Sequence, residues 1–176
     1  QGVSSAASDV YKRQLENEIT KHSWYFKIDP SFSLTHHFCH FYQLKPVGNE
    51  NSPDPIVTLS GSIHQGNAQL ELRWNGTSAQ RLKIADWEDC KGRWLRCECI
   101  THYSPNGSVK FSVKAIDGSI SSNHQVLDFP TWYSSYSFVR PKWGIYRSLR
   151  DKDKIKNMED RVFMNNFSIR KTKKED

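Results

Sequence analysis

Polar and apolar side chains alternate through several short stretches of this chain, most clearly where Val109, Phe111, Val113 and Ala115 fall to one side and Lys110, Ser112 and Lys114 to the other. A period of two is that of a β-strand packed on one face and wet on the other. Similar stretches rich in β-branched and aromatic residues predict strands at 23–28, 36–45, 56–62, 68–74, 81–84, 94–103, 108–116, 137–146 and 161–170. Turn-forming sequence separates them: the proline-bounded 46–53, Asn75-Gly76, Lys91-Gly92, Ser104-Pro-Asn-Gly107 and Asp117-Gly118. The strands at 94–103 and 108–116 read as a hairpin in which Asn106 and Gly107 supply positive φ angles. No helical period of convincing length is present, and the charged stretch 147–159 predicts a surface loop or a short helix.

Many short strands without a βαβ rhythm predict an all-β domain, either a sandwich, a jelly roll or a small barrel. The jelly roll is favoured, because a concave wet face built from several strands makes a groove for a linear polymer. A length of 176 residues suits one such domain, which we bound at 15–171. Residues 172–176 read as a charged tail. Residues 3–14 resemble a translated adapter read-through at the end of a metagenomic gene fragment. Native sequence is therefore expected from near Leu15, with an incomplete N-terminus, and 1–14 are set aside.

Charge then narrows the partner. A formal net charge of +6 suits a polyanion such as nucleic acid, acidic lipid or acidic polysaccharide. No apolar run is long enough to span a bilayer. Nucleic-acid binding fits the charge but finds no reader motif, and the aromatic residues sit mostly on core faces. The four cysteines lack zinc spacing: Cys97-x-Cys99 is too tight for a knuckle and has no partner pair. A disulfide from Cys90 to Cys97 or Cys99 and buried free thiols are equally compatible with the sequence. Three sequons, beginning at Asn75, Asn106 and Asn166, fit a secreted chain.

Two segments carry candidate chemistry. Along 142–146, alternation puts Lys142, Gly144 and Tyr146 on one face and Trp143 and Ile145 in the core. Gly144 would let a sugar ring approach the backbone. The pattern alone fits an ordinary wet strand equally well. Along 36–45, alternation puts Phe38, Tyr42 and Leu44 in the core, with His40 among them as a buried neutral imidazole. His37, Cys39, Phe41, Gln43 and Lys45 then fall on the wet face. The spacing of His36, His37 and His40 argues against a shared metal. Arg73, opposite Leu70, Leu72 and Trp74, is a further groove cation or a plain surface arginine.

Arg140-Pro-Lys-Trp-Gly-Ile-Tyr-Arg-Ser-Leu149, the Gln43-Leu-Lys45 that follows an aromatic, histidine-containing strand, and Lys91-Gly-Arg-Trp-Leu-Arg96 with Tyr103-Ser-Pro-Asn-Gly-Ser108 together resemble the glucuronan lyases and their heparin-lyase-like and alginate-lyase relatives. The resemblance spans roughly 24–171. It implies a concanavalin-A-like β-jelly roll that cleaves an acidic uronate polysaccharide, glucuronan-like, by β-elimination. Tyr146 would be base, acid or both, and Gln43 would neutralise the C6 carboxylate. Lys142, about 13 Å from Tyr146 on a regular strand, would with Lys45 and Arg73 grip neighbouring carboxylates beside Gly144. His64 echoes a lyase Gln-Ile-His signature, but Ser62 stands in the glutamine's place. The resemblance further implies a secreted monomer with no cofactor in the chemistry and, in some relatives, a structural calcium. The alternative is a non-catalytic carbohydrate-binding jelly roll using the same basic groove.

Overall fold

The computed structural model describes residues 13–48, 53–75, 79–155 and 159–173. Ten strands form two five-stranded antiparallel sheets, packed face to face. The strands are β1 Ile19–Ile28, β2 Cys39–Gly48, β3 Val57–His64, β4 Asn67–Asn75, β5 Ala79–Asp86, β6 Trp94–His102, β7 Gly107–Ala115, β8 Ser121–Phe129, β9 Tyr136–Arg147 and β10 Val162–Thr172. One sheet runs β10-β1-β6-β7-β8 and the other β5-β4-β3-β2-β9. Among the described residues helix is confined to short turns: α1 Trp87–Cys90, a 3₁₀ turn at Leu149–Asp151, and α2 Lys152–Ile155. The all-β, jelly-roll expectation is met, and the charged stretch after β9 holds the short helix.

Alternation explains the core. In β1, Thr20, His22, Trp24, Phe26 and Ile28 point inward while the residues between them are half-exposed. Trp24 stacks on Tyr42 of the opposite sheet at 4.4 Å between centroids, and Phe26, Phe32, Phe41 and Trp87 extend the aromatic layer. His22 is buried between the sheets, with Nδ1 2.7 Å from the Tyr42 hydroxyl and Nε2 3.2 Å from Thr20 Oγ1. Burial pushes its pKa down to about 3, so it packs as a neutral ring. All four cysteines are buried free thiols.

Two expectations are corrected. The hairpin between β6 and β7 forms, but neither Asn106 nor Gly107 takes a positive φ. Glycine is needed at 107 because a Cβ there would run into Thr131 Oγ1 and the His102 carbonyl. Strand β8 is an addition: its sequence is polar and mostly exposed, so it carries little hydrophobic signal. Gln14, set aside with the N-terminal segment, is fully buried and pairs with Val139 through reciprocal backbone hydrogen bonds of 2.8 and 2.9 Å.

Candidate active site

A cavity of about 520 Å³ lies on the outward face of the sheet β5-β4-β3-β2-β9. Two irregularities in the central strands decide what lines it. Between β2 and β3 the register steps from His40↔Ser60 to Tyr42↔Leu59, leaving Phe41 as an extra residue. An extra residue reverses the alternation beyond it. Phe41 and Tyr42 are therefore both buried in the core, Cys39 turns inward, and His40 faces the groove. His40 is buried and hydrogen-bonded as expected, but on the groove side of the sheet rather than in the core, and the placing of Cys39 and Phe41 on the wet face is corrected.

The second irregularity is in β9, where His40↔Tyr146 and Tyr42↔Trp143 leave two residues, Gly144 and Ile145, opposite Phe41 alone. Gly144 takes φ +129°, and nothing lies within 4 Å of where its Cβ would be. Glycine is required here by the backbone, and its position leaves open space above the strand. Trp143 reaches the core, edge-on to Trp24 at 6.0 Å. Ile145 does not: it is 40% exposed and lines the groove, because the bulge turns it outward. Arg147 swings inward, where its guanidinium lies over Phe32 at 4.5 Å and pairs with Asp160 at 2.7 Å.

Tyr146, Gln43, Lys142, Lys45, Arg73 and Gly144 all line this groove, joined by His40 and Arg81. Tyr146 is more than half exposed and stacks near His40, with centroids 6.0 Å apart, while Phe38 stacks on both rings. Gln43 pairs with Lys142 across the β2–β9 ladder and is nearly buried at the groove floor. Among the described residues its amide makes no side-chain hydrogen bond, which leaves it available to a ligand.

A hydrogen-bonded chain lies under the imidazole. His40 Nδ1 is 2.7 Å from Ser60 Oγ, which is 2.8 Å from Thr58 Oγ1. Burial first, and then the charge of Arg73, push the His40 pKa down to about 4, so the ring is neutral at neutral pH. The cations differ in freedom. Arg73 Nε is bonded to the buried Glu71 carboxylate, and Arg81 stands 4.0 Å from the same group. Lys45 Nζ donates to the Pro53 carbonyl, and burial and the nearby Lys142 lower its pKa. His64 is outside the groove lining, with Nδ1 3.1 Å from Arg81 Nη1.

No protein-family model matches the chain, and no curated protein matches it in sequence. Solved structures do. The endo-β-1,4-glucuronan lyase of Trichoderma reesei superposes with a TM-score of 0.64 at 12% identity, over 92% of this chain and 72% of that one. An alginate lyase of Pseudomonas aeruginosa gives 0.60 at 10%, over 89% and 66%. A family 14 alginate lyase of Aplysia kurodai gives 0.61 at 11%, over 90% and 72%. The fold is that of jelly-roll polysaccharide lyases. The chain spans about two thirds of the Pseudomonas enzyme's length.

The lyase-like fold thus carries a groove containing every residue proposed from the sequence, and also His40, which strict alternation had put in the core. Two adjacent core aromatics, Phe41-Tyr42, were the signal that could have revealed its place, since consecutive large apolar residues break a period of two. Among the described residues no three His, Cys, Asp or Glu side chains gather as around a metal ion, and no helix is long and apolar enough to cross a membrane.

Proposed function

We propose that this protein is a polysaccharide lyase that cleaves an acidic, glucuronan-like uronate polymer by β-elimination. One observation carries the reading: a tyrosine and an unpaired amide share one groove with four cations, and the irregularity at Phe41 adds a neutral histidine beside them. Elimination requires exactly such a division of labour, with one set of groups holding the C6 carboxylate and another moving protons.

The C5–H bond is weakly acidic because the adjacent C6 bears a carboxylate. Hydrogen-bond donors that stabilise the developing enediolate lower that barrier. Gln43 supplies one donor from its amide. His40 supplies a second: with Thr58 donating to Ser60 and Ser60 to Nδ1, the remaining proton sits on Nε2. A neutral imidazole of low pKa can donate there without ionising, as an electrophile rather than an acid.

Tyr146 takes the proton from C5. The C4–O4 bond then breaks, the C4=C5 double bond forms, and the proton passes to O4 of the departing chain. In a gluco- or manno-configured uronate both groups lie on one side of the ring, so a single phenol serves both steps. Lys142, Lys45 and Arg73 hold the carboxylates of neighbouring sugars.

We further place this enzyme outside the cell as a monomer. The test is incubation with glucuronan, alginate, heparin and hyaluronan while following the ultraviolet absorbance of the unsaturated product. Absorbance should rise with at least one polyuronate. A folded protein that binds these polymers without any rise would instead be the carbohydrate-binding module.

A further inference from the structure

The sheet β10-β1-β6-β7-β8 turns a second face to solvent, on the opposite side of the sandwich from the groove. At its middle is a shallow depression of about 340 Å³, lined in part by Lys21, Arg96, Glu98, Lys110 and Lys114. The strand register sets cation against cation on this face: Arg96 lies directly opposite Lys114, and Lys21 directly opposite Arg170. Like charges directly opposite destabilise a sheet, so the fold alone gives no reason for this arrangement.

Glu98 is the acid lining the depression, and it is already engaged by Lys21 at 3.0 Å and Arg96 at 2.8 Å. Lys110 has Ile100 and Gln125 as cross-strand neighbours, and Lys114 has Arg96 and Ser121. Neither lysine therefore faces a carboxylate across the ladder. Four cations against one carboxylate line the depression and leave it strongly positive.

Its layout favours an extended ligand. Cations recur about 5 Å apart across the strands and about 13 Å apart along β7, which matches a repeating linear polyanion better than one small anion. Between Lys110 and Lys114 lie Ser112 and, beside it on β8, Asn123, a hydroxyl and an amide suited to sugar hydroxyls. The depression has no aromatic lining, and stacking on aromatic rings is the usual means of holding single-stranded nucleic acid.

We infer that this face is a second binding site for acidic polysaccharide, which holds the polymer while the groove acts on another stretch of chain. The inference rests on the proposed lyase reading for its choice of polymer. It is tested with the full chain carrying Lys110→Glu and Lys114→Glu, and with the milder Lys110→Gln and Lys114→Gln pair in case the reversal perturbs folding. Retention is measured by electrophoresis through gels containing glucuronan or alginate, and turnover is measured on a short oligouronate.

Charge reversal should weaken retention at low salt by about tenfold or more while oligomer turnover stays within about twofold. The glutamine pair should weaken it in the same direction by less. Unchanged retention in both folded variants overturns the inference, whether or not the wild type cleaves polymer. Lost retention in a protein that cleaves no polyuronate keeps the binding face and removes the lyase reading. Tighter retention by single-stranded DNA than by either polysaccharide at equal salt, through the same two lysines, overturns the assignment to glycan.

Discussion

Acid should unfold this protein earlier than its carboxylates require, because two histidines are held neutral. His22, between the sheets, has its pKa pushed down to about 3, and His40, at the groove floor, to about 4. The unfolded chain binds protons at both positions as pH drops through about 6.5, whereas the folded one does not, so stability is full above that value and falls below it. Going from about pH 7.5 to about pH 5, each site contributes a loss of about 2 kcal/mol, or about 4 kcal/mol together. That is a large share of the roughly 5–15 kcal/mol typical of a domain. Ordinary carboxylates stay ionised throughout this window, which isolates the histidines. The assay is urea unfolding at both pH values for wild type and His22→Gln, which keeps a partner for Tyr42 but cannot titrate. The variant should lose about 2 kcal/mol less than wild type between the two conditions, whatever its absolute stability. Equal losses in the two proteins would refute the reasoning.

Other substitutions probe the geometry of the sheet and groove. Gly144→Ala meets no steric obstacle but forces φ +129° on a residue with a Cβ, and should cost about 1–3 kcal/mol in chemical denaturation. Arg147→Ala strips the inward ion pair from Asp160 and should cost about 3–5 kcal/mol, read as a fall in the denaturation midpoint. Ser60→Ala removes the partner of His40 Nδ1; it should lower kcat by about tenfold with little change in KM, because Nε2 is then no longer held as the donor to the developing charge.

Much of the fold was legible because the core is built by simple alternation. Strands β1 and β7 show it almost without interruption. Strand β8 escaped because an edge strand need not be apolar, and its residues are mostly polar and exposed. The groove residues Lys142, Tyr146, Gln43, Lys45 and Arg73 were readable from residue type and resemblance. His40 and Ile145 were not, since a bulge reverses the faces beyond it and period-two reasoning contains no term for it. Gly144 did signal the irregularity: an isolated glycine within a strand marks either a bulge or a close approach. The structure shows a bulge there, with open space above it.

In the proposed reaction Tyr146 moves the proton at C5 and O4. The most direct measurement compares wild type and Tyr146→Phe on glucuronan and alginate, following ultraviolet absorbance and identifying the new chain ends by mass spectrometry, with polymer binding measured in parallel. Wild type should form unsaturated ends and the variant at least about a hundredfold fewer, with unchanged polymer binding. Full formation of unsaturated ends by Tyr146→Phe would contradict that role.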